Sequence, residues 1–212
     1  MKINTNNWNR IRYTLYTPGY DLVARVVEKS RKRSVDSLQV KPGDEVLIVG
    51  AGTGLDLEFL PDDCNITAID LTPSMVERIK KRNQVLQLKV DAMVMDGQAL
   101  AFGNESFDKI ILHLILAVIP DPVACICEAA RVLKRGGVVV VFDKFVPKGR
   151  SVSGRRRFFN FFTNLIASDI TRDFETIVKN SGLTVLSDEP ADWNGNFRLI
   201  RLIKENSDKP ME

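Results

Sequence analysis

Three glycines spaced two apart, Gly50, Gly52 and Gly54, follow the apolar run "VLIV" (46–49) and precede "LDLEFL" (55–60). A strand that breaks into such a turn and resumes with helix-like spacing brings backbone N–H groups close to a ligand, because glycine has no Cβ to hold it off. In open α/β sheets these turns lie at the carboxyl ends of the strands, where adenosine cofactors bind. The dinucleotide fingerprint is G-x-G-x-x-G. Here the third glycine comes one residue early and Leu55 stands where glycine is required, which disfavours NAD and FAD. Two carboxylates, Asp70 and Asp96, and the single histidine, His113, also fall near predicted strand ends. A lone histidine in an apolar strand reads as a general base, a cofactor contact or a satisfied core residue. Cys64, Cys125 and Cys127 form no CxxC pair and no disulfide framework, so free thiols in a reducing compartment, and no metal site, are expected.

The segments that must position these groups alternate between strand-like and helix-like patterns. "DEVLIVG" (44–50), "NITAIDL" (65–71), "LQLKVDAMVMD" (86–96), "FDKIILHLI" (107–115) and "VVVVFDKF" (138–145) predict five strands. Between them, "LDLEFL" predicts a helix that Pro61 ends, and "TPSMVERIKKR" a helix with Thr72 as N-cap, Pro73 at the first position and a basic last turn. "DPVACICEAARVLKRGG" predicts a helix capped by Asp121 and closed by Gly136 and Gly137. "DITRDFETIVKNSG" adds a helix, and "LTVLSDEP" and "NFRLIRLIK" two further strands. This alternation predicts an α/β, Rossmann-like, doubly wound and mostly parallel seven-stranded sheet. Residues 1–40 are expected to form a helical lid on a single domain over 41–206.

Composition excludes little else. The 212 residues are 44% hydrophobic and 27% charged, as in an ordinary globular domain. A net charge of +3 does not force a nucleic-acid role. "MKINTNNWNR" lacks the apolar core of a signal peptide, and "IILHLILAVIP" is too short to span a bilayer, so a cytoplasmic protein is expected. The charge is uneven, with nine Lys/Arg against three Asp/Glu in residues 1–41.

The G-x-G-x-G turn after an apolar strand resembles motif I of the class I S-adenosylmethionine-dependent methyltransferases. "VMDGQALAF", "SFDKIILHLILAVIPDP" and "ARVLKRGGVVVV" resemble later segments of that family, in order and at family spacing. The resemblance implies S-adenosyl-L-methionine as cofactor and S-adenosyl-L-homocysteine as product. It implies a binding set of Gly50, Ala51, Gly52, Thr53, Gly54, Asp70, Leu71, Met75, Asp96, Gly97, Gln98 and His113. Asp70 would accept both ribose hydroxyls, which suits a carboxylate. Asp96 would take the adenine amino group, with the backbone at Gly97 and Gln98 flanking the ring. Methyl transfer is a direct displacement, so alignment of the acceptor matters more than covalent help from the protein.

"RYTLYTPGYDLV" (12–23), through Tyr13, Tyr16, Pro18, Tyr20 and Asp21, resembles bacterial phosphatidylethanolamine N-methyltransferases of the soluble, peripheral type. The ubiquinone and menaquinone C-methyltransferases are more distantly similar. Where the lipid enzymes tend to carry an asparagine–histidine pair after the fifth strand, this chain has Asp143 and Lys144. The resemblance implies a phospholipid head group as acceptor, with a quinone precursor or soluble small molecule as the alternative. A phospholipid amine must lose a proton before it attacks. Tyr16, Tyr20 and His113 are the residues expected to contact the acceptor or assist that step. "GRRRFFNFF" (154–162) sets Arg155–Arg157 before four phenylalanines, which reads either as a peripheral contact with an anionic membrane surface or as a lid packed on the core. No nucleic-acid partner is expected, since "HLIL" is not the Pro-Pro-aromatic loop of amino-directed base methyltransferases.

Overall fold

The computed structural model describes residues 5–6, 27–146, 172–191 and 197–206. Helix α1 (Glu28–Asp36) precedes strand β1 (Glu45–Val49), a short 3-10 turn (Leu55–Phe59) and β2 (Asn65–Asp70). Helix α2 (Pro73–Leu86), β3 (Val90–Val94), β4 (Phe107–His113), α3 (Pro122–Val132) and β5 (Leu133–Lys144) continue the alternation. Helix α4 (Phe174–Val178) and strands β6 (Thr184–Pro190) and β7 (Phe197–Ile203) complete the described elements.

The seven strands form one sheet in the order β3-β2-β1-β4-β5-β7-β6. Strands β1 to β5 pair in parallel, and β7 runs antiparallel to both β5 and β6. The predicted mostly parallel, seven-stranded Rossmann-like sheet is the sheet observed. Because side chains alternate across a strand, each central strand feeds two cores. Leu47, Val49, Ile110, Leu112, Val139 and Val141 pack on one face. Val46, Ile48, Ile111, Val138 and Val140 pack on the other, with Val35 and Leu38 at and just beyond the end of α1.

Three local predictions are corrected. "LDLEFL" makes only a 3-10 turn, entered through Gly54 in the left-handed region (φ 79°). Helix α2 runs on to Leu86, so its "KKR" lies inside the helix and not in its last turn. Helix α3 begins as expected, with Asp121 Oδ1 accepting from Ala124 N at 2.9 Å, but it stops at Val132. Gly136 and Gly137 lie inside β5, beside the irregular register between Phe107 and Lys109. The sheet takes these residues because Val139–Val141 are paired on both sides, by β4 and by β7. All three cysteines are free, and burial pushes the Cys125 thiol up to about 12.

Candidate active site

A narrow cleft, open to solvent, lies at the carboxyl ends of β1, β2, β3 and β4. Val49, Gly50 and Gly52 form its floor, and Leu71, Thr72 and Met75 one side. Met95, Asp96 and Gly97 form the opposite rim, and the loop from Leu114 to Pro120 supplies an apolar wall. Asn6 closes one end.

The floor has no space for larger residues. A Cβ on Gly97 would stand 2.6 Å from Val49 Cγ1, and one on Gly50 would stand 2.6 Å from Ile115 Cδ1. Gly50 also has φ +68°, a conformation costly for other residues. Asp70 ties the turn to the start of α2: Oδ2 accepts from Gly52 N at 2.9 Å and Oδ1 from Thr72 N at 2.8 Å. Burial raises the Asp70 pKa, opposed by these two N–H donors. A carboxylate offers about four acceptor sites, so these bonds do not exhaust Asp70, which lines the cleft. Asp96 accepts from Gln98 N at 3.0 Å, from Gln98 Nε2 at 2.9 Å and from Asn6 Nδ2 at 2.6 Å.

The wall loop is held from beneath. Asp143 Oδ2, at the end of β5, accepts from Ala117 N at 2.8 Å, and its Oδ1 accepts from Lys144 N at 2.8 Å. Arg172 donates to Leu116 O and, at 2.6 Å, to Ile119 O. Leu114 adopts φ +57°, an unusual conformation for leucine, and donates from its N to Phe142 O at 2.8 Å. Burial pushes the Asp143 carboxyl up to about 6, partly offset by the Ala117 and Lys144 N–H groups. An acid whose pKa is higher folded than unfolded holds its proton more tightly when folded, so its contribution to stability declines as pH rises from about 4 to about 6. Compared by urea titration, wild type is expected to lose on the order of 2–3 kcal/mol relative to Asp143→Asn between those pH values. A pH-independent difference would show that Asp143 does not titrate in this range.

Not every expected residue reaches the cleft. Gly50, Gly52, Asp70, Leu71, Met75, Asp96 and Gly97 line it, and Gln98 supports it through Asp96. Ala51 is buried in the core on the α1 side. Thr53, buried, borders a separate surface depression with Arg78, Lys81 and Arg82, and Gly54 carries the turn into the 3-10 segment. His113 is corrected: its side chain follows Ile111 to the α1 face and does not line the cleft. There Nδ1 bonds Asp56 Oδ1 at 2.9 Å and Nε2 bonds the Ser34 hydroxyl at 2.8 Å, so both ring nitrogens are committed to structure. Arg31 Nη1 donates to the same Asp56 oxygen at 2.7 Å. Tyr16, Tyr20 and the Arg155–Arg157 and phenylalanine cluster lie outside the described residues. Sequence reasoning missed Asn6 and Arg172, and it noted Asp143 only as a departure from the lipid enzymes' asparagine–histidine pair, not as a loop anchor.

The sheet order, the glycine turn at the end of β1 and the carboxylates after β2 and β3 define a class I methyltransferase fold. Residues 47–141 match the methyltransferase domain family. The chain is 27% identical over 179 residues to a phosphatidylethanolamine N-methyltransferase of Cereibacter sphaeroides, covering 84% of this chain and 88% of that one. It is 31% identical over 144 residues to a demethylmenaquinone methyltransferase of Tropheryma whipplei, covering 68% of this chain and 59% of the relative. A solved geranyl diphosphate methyltransferase in complex with S-adenosylmethionine superposes with a TM-score of 0.70 at 16% identity, covering 84% of this chain and 85% of that one. Residues 47–141 thus carry a methyltransferase domain on a class I methyltransferase fold, and the chain is an S-adenosylmethionine-dependent methyltransferase. The cleft fits that cofactor: its floor excludes side chains at Gly50 and Gly97, its walls are apolar, and a carboxylate stands at each side.

Proposed function

We propose that this enzyme N-methylates an amine head group of the phosphatidylethanolamine type at a membrane surface. The observation that carries the reading is the similarity to a phosphatidylethanolamine N-methyltransferase along 88% of that relative's length. The sequence supports it with the Tyr16–Tyr20 segment and the Arg155–Arg157 cluster next to phenylalanines, a composition suited to an anionic interface. No helix among the described residues is long and apolar enough to cross a membrane.

On this reading Gly50 and Gly52 would let the cofactor approach the backbone, Asp70 would accept the ribose hydroxyls, and Leu71 and Met75 would line the sugar and ring. Asp96 would take the adenine amino group, with Gly97 and Gln98 flanking the ring and Gln98 orienting the carboxylate. When bound, the sulfonium supplies an electrophilic methyl group. Tyr16 and Tyr20 hydrogen-bond the acceptor and hold its nitrogen in line, which is where most of the rate enhancement of a direct displacement comes from. The amine proton leaves to solvent, since the one histidine is engaged with Asp56 and Ser34.

A second reading, methylation of a quinone ring carbon, has its own support in the 31% identity to demethylmenaquinone methyltransferase. A radiolabelled methyl-transfer assay run in parallel on phosphatidylethanolamine vesicles, a demethylated quinone precursor and RNA separates them. Label is expected in the phospholipid. Label confined to the quinone would replace the first reading with the second.

A further inference from the structure

Asn6 reaches the cleft from the N-terminal end of the chain and meets Asp96 and Gln98 together. Its Nδ2 donates to Asp96 Oδ2 at 2.6 Å, and its Oδ1 accepts from Gln98 Nε2 at 3.1 Å. A primary amide thus presents one donor and one acceptor side by side to a carboxylate and an amide. The amino edge of adenine presents the same pair, an exocyclic N–H beside a ring nitrogen acceptor. Asp96 Oδ1 accepts from Gln98 N and Gln98 Nε2, and Oδ2 accepts a longer bond from Gln98 Nε2 at 3.2 Å and the short one from Asn6 at 2.6 Å, so a newcomer to the carboxylate must displace Asn6 from Oδ2.

We propose that Asn6 is an internal stand-in for the adenine edge: it fills the adenine subsite when no cofactor is bound and must leave Asp96 before adenine can pair there. Asn6 is therefore an affinity-setting residue of the cofactor site. The inference rests on the reading of Asp96 as the acceptor of the adenine amino group. Its physical consequence is a population effect. A site competent only when Asn6 is withdrawn binds with its intrinsic dissociation constant divided by the withdrawn fraction.

The test is calorimetric titration of the full chain with S-adenosylhomocysteine. Asn6→Ala removes the competitor, and Asn6→Asp sets a carboxylate against Asp96 and expels it by like-charge repulsion. Both are expected to tighten binding by roughly three- to tenfold, as a subsite filled most of the time requires. Unchanged or weaker binding in both variants would overturn the inference, because a clamp that helps hold the cofactor gives weaker binding. A second readout uses Trp8, two residues from Asn6 and the sole tryptophan once Trp193→Phe is made. Its emission is expected to shift on saturation with S-adenosylhomocysteine, and a constant spectrum counts against displacement. Asp96→Ala separates the two levels. If it leaves affinity intact, the adenine reading itself fails. If it weakens binding while the Asn6 variants do not tighten it, only the stand-in role fails. Should Asp96→Ala not fold, the deaminated analogue S-inosylhomocysteine serves on wild type. Its ring carbonyl opposes the carboxylate, so binding as tight as that of the adenosine compound would sink the adenine reading.

Discussion

Replacing Asp70 with alanine is expected to weaken S-adenosylmethionine binding at least tenfold in calorimetry while the circular dichroism spectrum of the sheet persists. Two losses add. Gly52 N and Thr72 N, now 2.9 and 2.8 Å from its oxygens, lose the acceptor that joins the glycine turn to the start of α2. On the proposed assignment of Asp70, the ribose hydroxyls lose a charged acceptor as well. Hydrogen bonds to charged groups contribute about 1.5–3 kcal/mol each, and a factor of ten needs only about 1.4 kcal/mol, so tenfold is a lower bound. Asp70→Asn keeps one acceptor oxygen but turns an N–H₂ toward a backbone N–H, so its effect should fall between wild type and alanine. The pH dependence has a definite sign. Burial raises the Asp70 pKa, so wild-type affinity is expected to fall as acid protonates the carboxylate, and the affinity of Asp70→Ala should lack that dependence. Equal affinity of wild type and Asp70→Ala would remove Asp70 from the cofactor site.

The chain announces its sheet and its glycine turn more plainly than it announces what surrounds them. Strands such as "VLIV" and "VVVV" declare a sheet covered on both faces, and Asp70 and Asp96 fall at strand ends because the apolar runs stop there. Alternation even places His113 on the face of Ile111, yet both faces are apolar, so nothing local says which one meets the cleft. The partners of His113, Asp56 and Ser34, lie 57 and 79 residues away, beyond the reach of any periodic pattern. Arg31 counts toward the basic excess of residues 1–41 by sequence, but in the fold it is buried against Asp56 and adds nothing to a surface field. "ARVLKRGG" carries a helix-closing signal, and the pairing of β5 on both sides overrides it from Leu133 onward. Asn6 has no motif at all. Its role becomes visible only once folding sets it beside two residues about ninety positions away.

Asp56→Ala should give the largest stability loss. The Asp56 carboxylate is 3% exposed and faces the Arg31 guanidinium at 2.7 Å and His113 Nδ1 at 2.9 Å. Burial works against its ionisation, yet His113 and Arg31 together hold its pKa well below the usual carboxylate range. A buried pair adds little over a well-packed apolar one, but removing one partner strands the other charge, at a cost of about 3–5 kcal/mol. Against a total of about 5–15 kcal/mol for a typical domain, that loss should move the urea midpoint far down. The double replacement Arg31→Met with Asp56→Leu removes both charges, so it is expected to cost less than Asp56→Ala alone, a non-additivity that marks a coupled pair. The pH dependence identifies the cause. A carboxylate with a depressed folded pKa stabilises above its unfolded value of about 3.9 and loses that contribution as pH falls below it. The gap between wild type and Asp56→Ala should therefore be full at neutral pH and shrink below about pH 4. Because Asp56 sits in the 3-10 turn directly after Gly54, the same ion pair pins α1 to the segment that shapes the cofactor floor. Loss of the pair should thus weaken cofactor binding in the protein that remains folded, linking a buried charge on one face of the sheet to affinity at its edge.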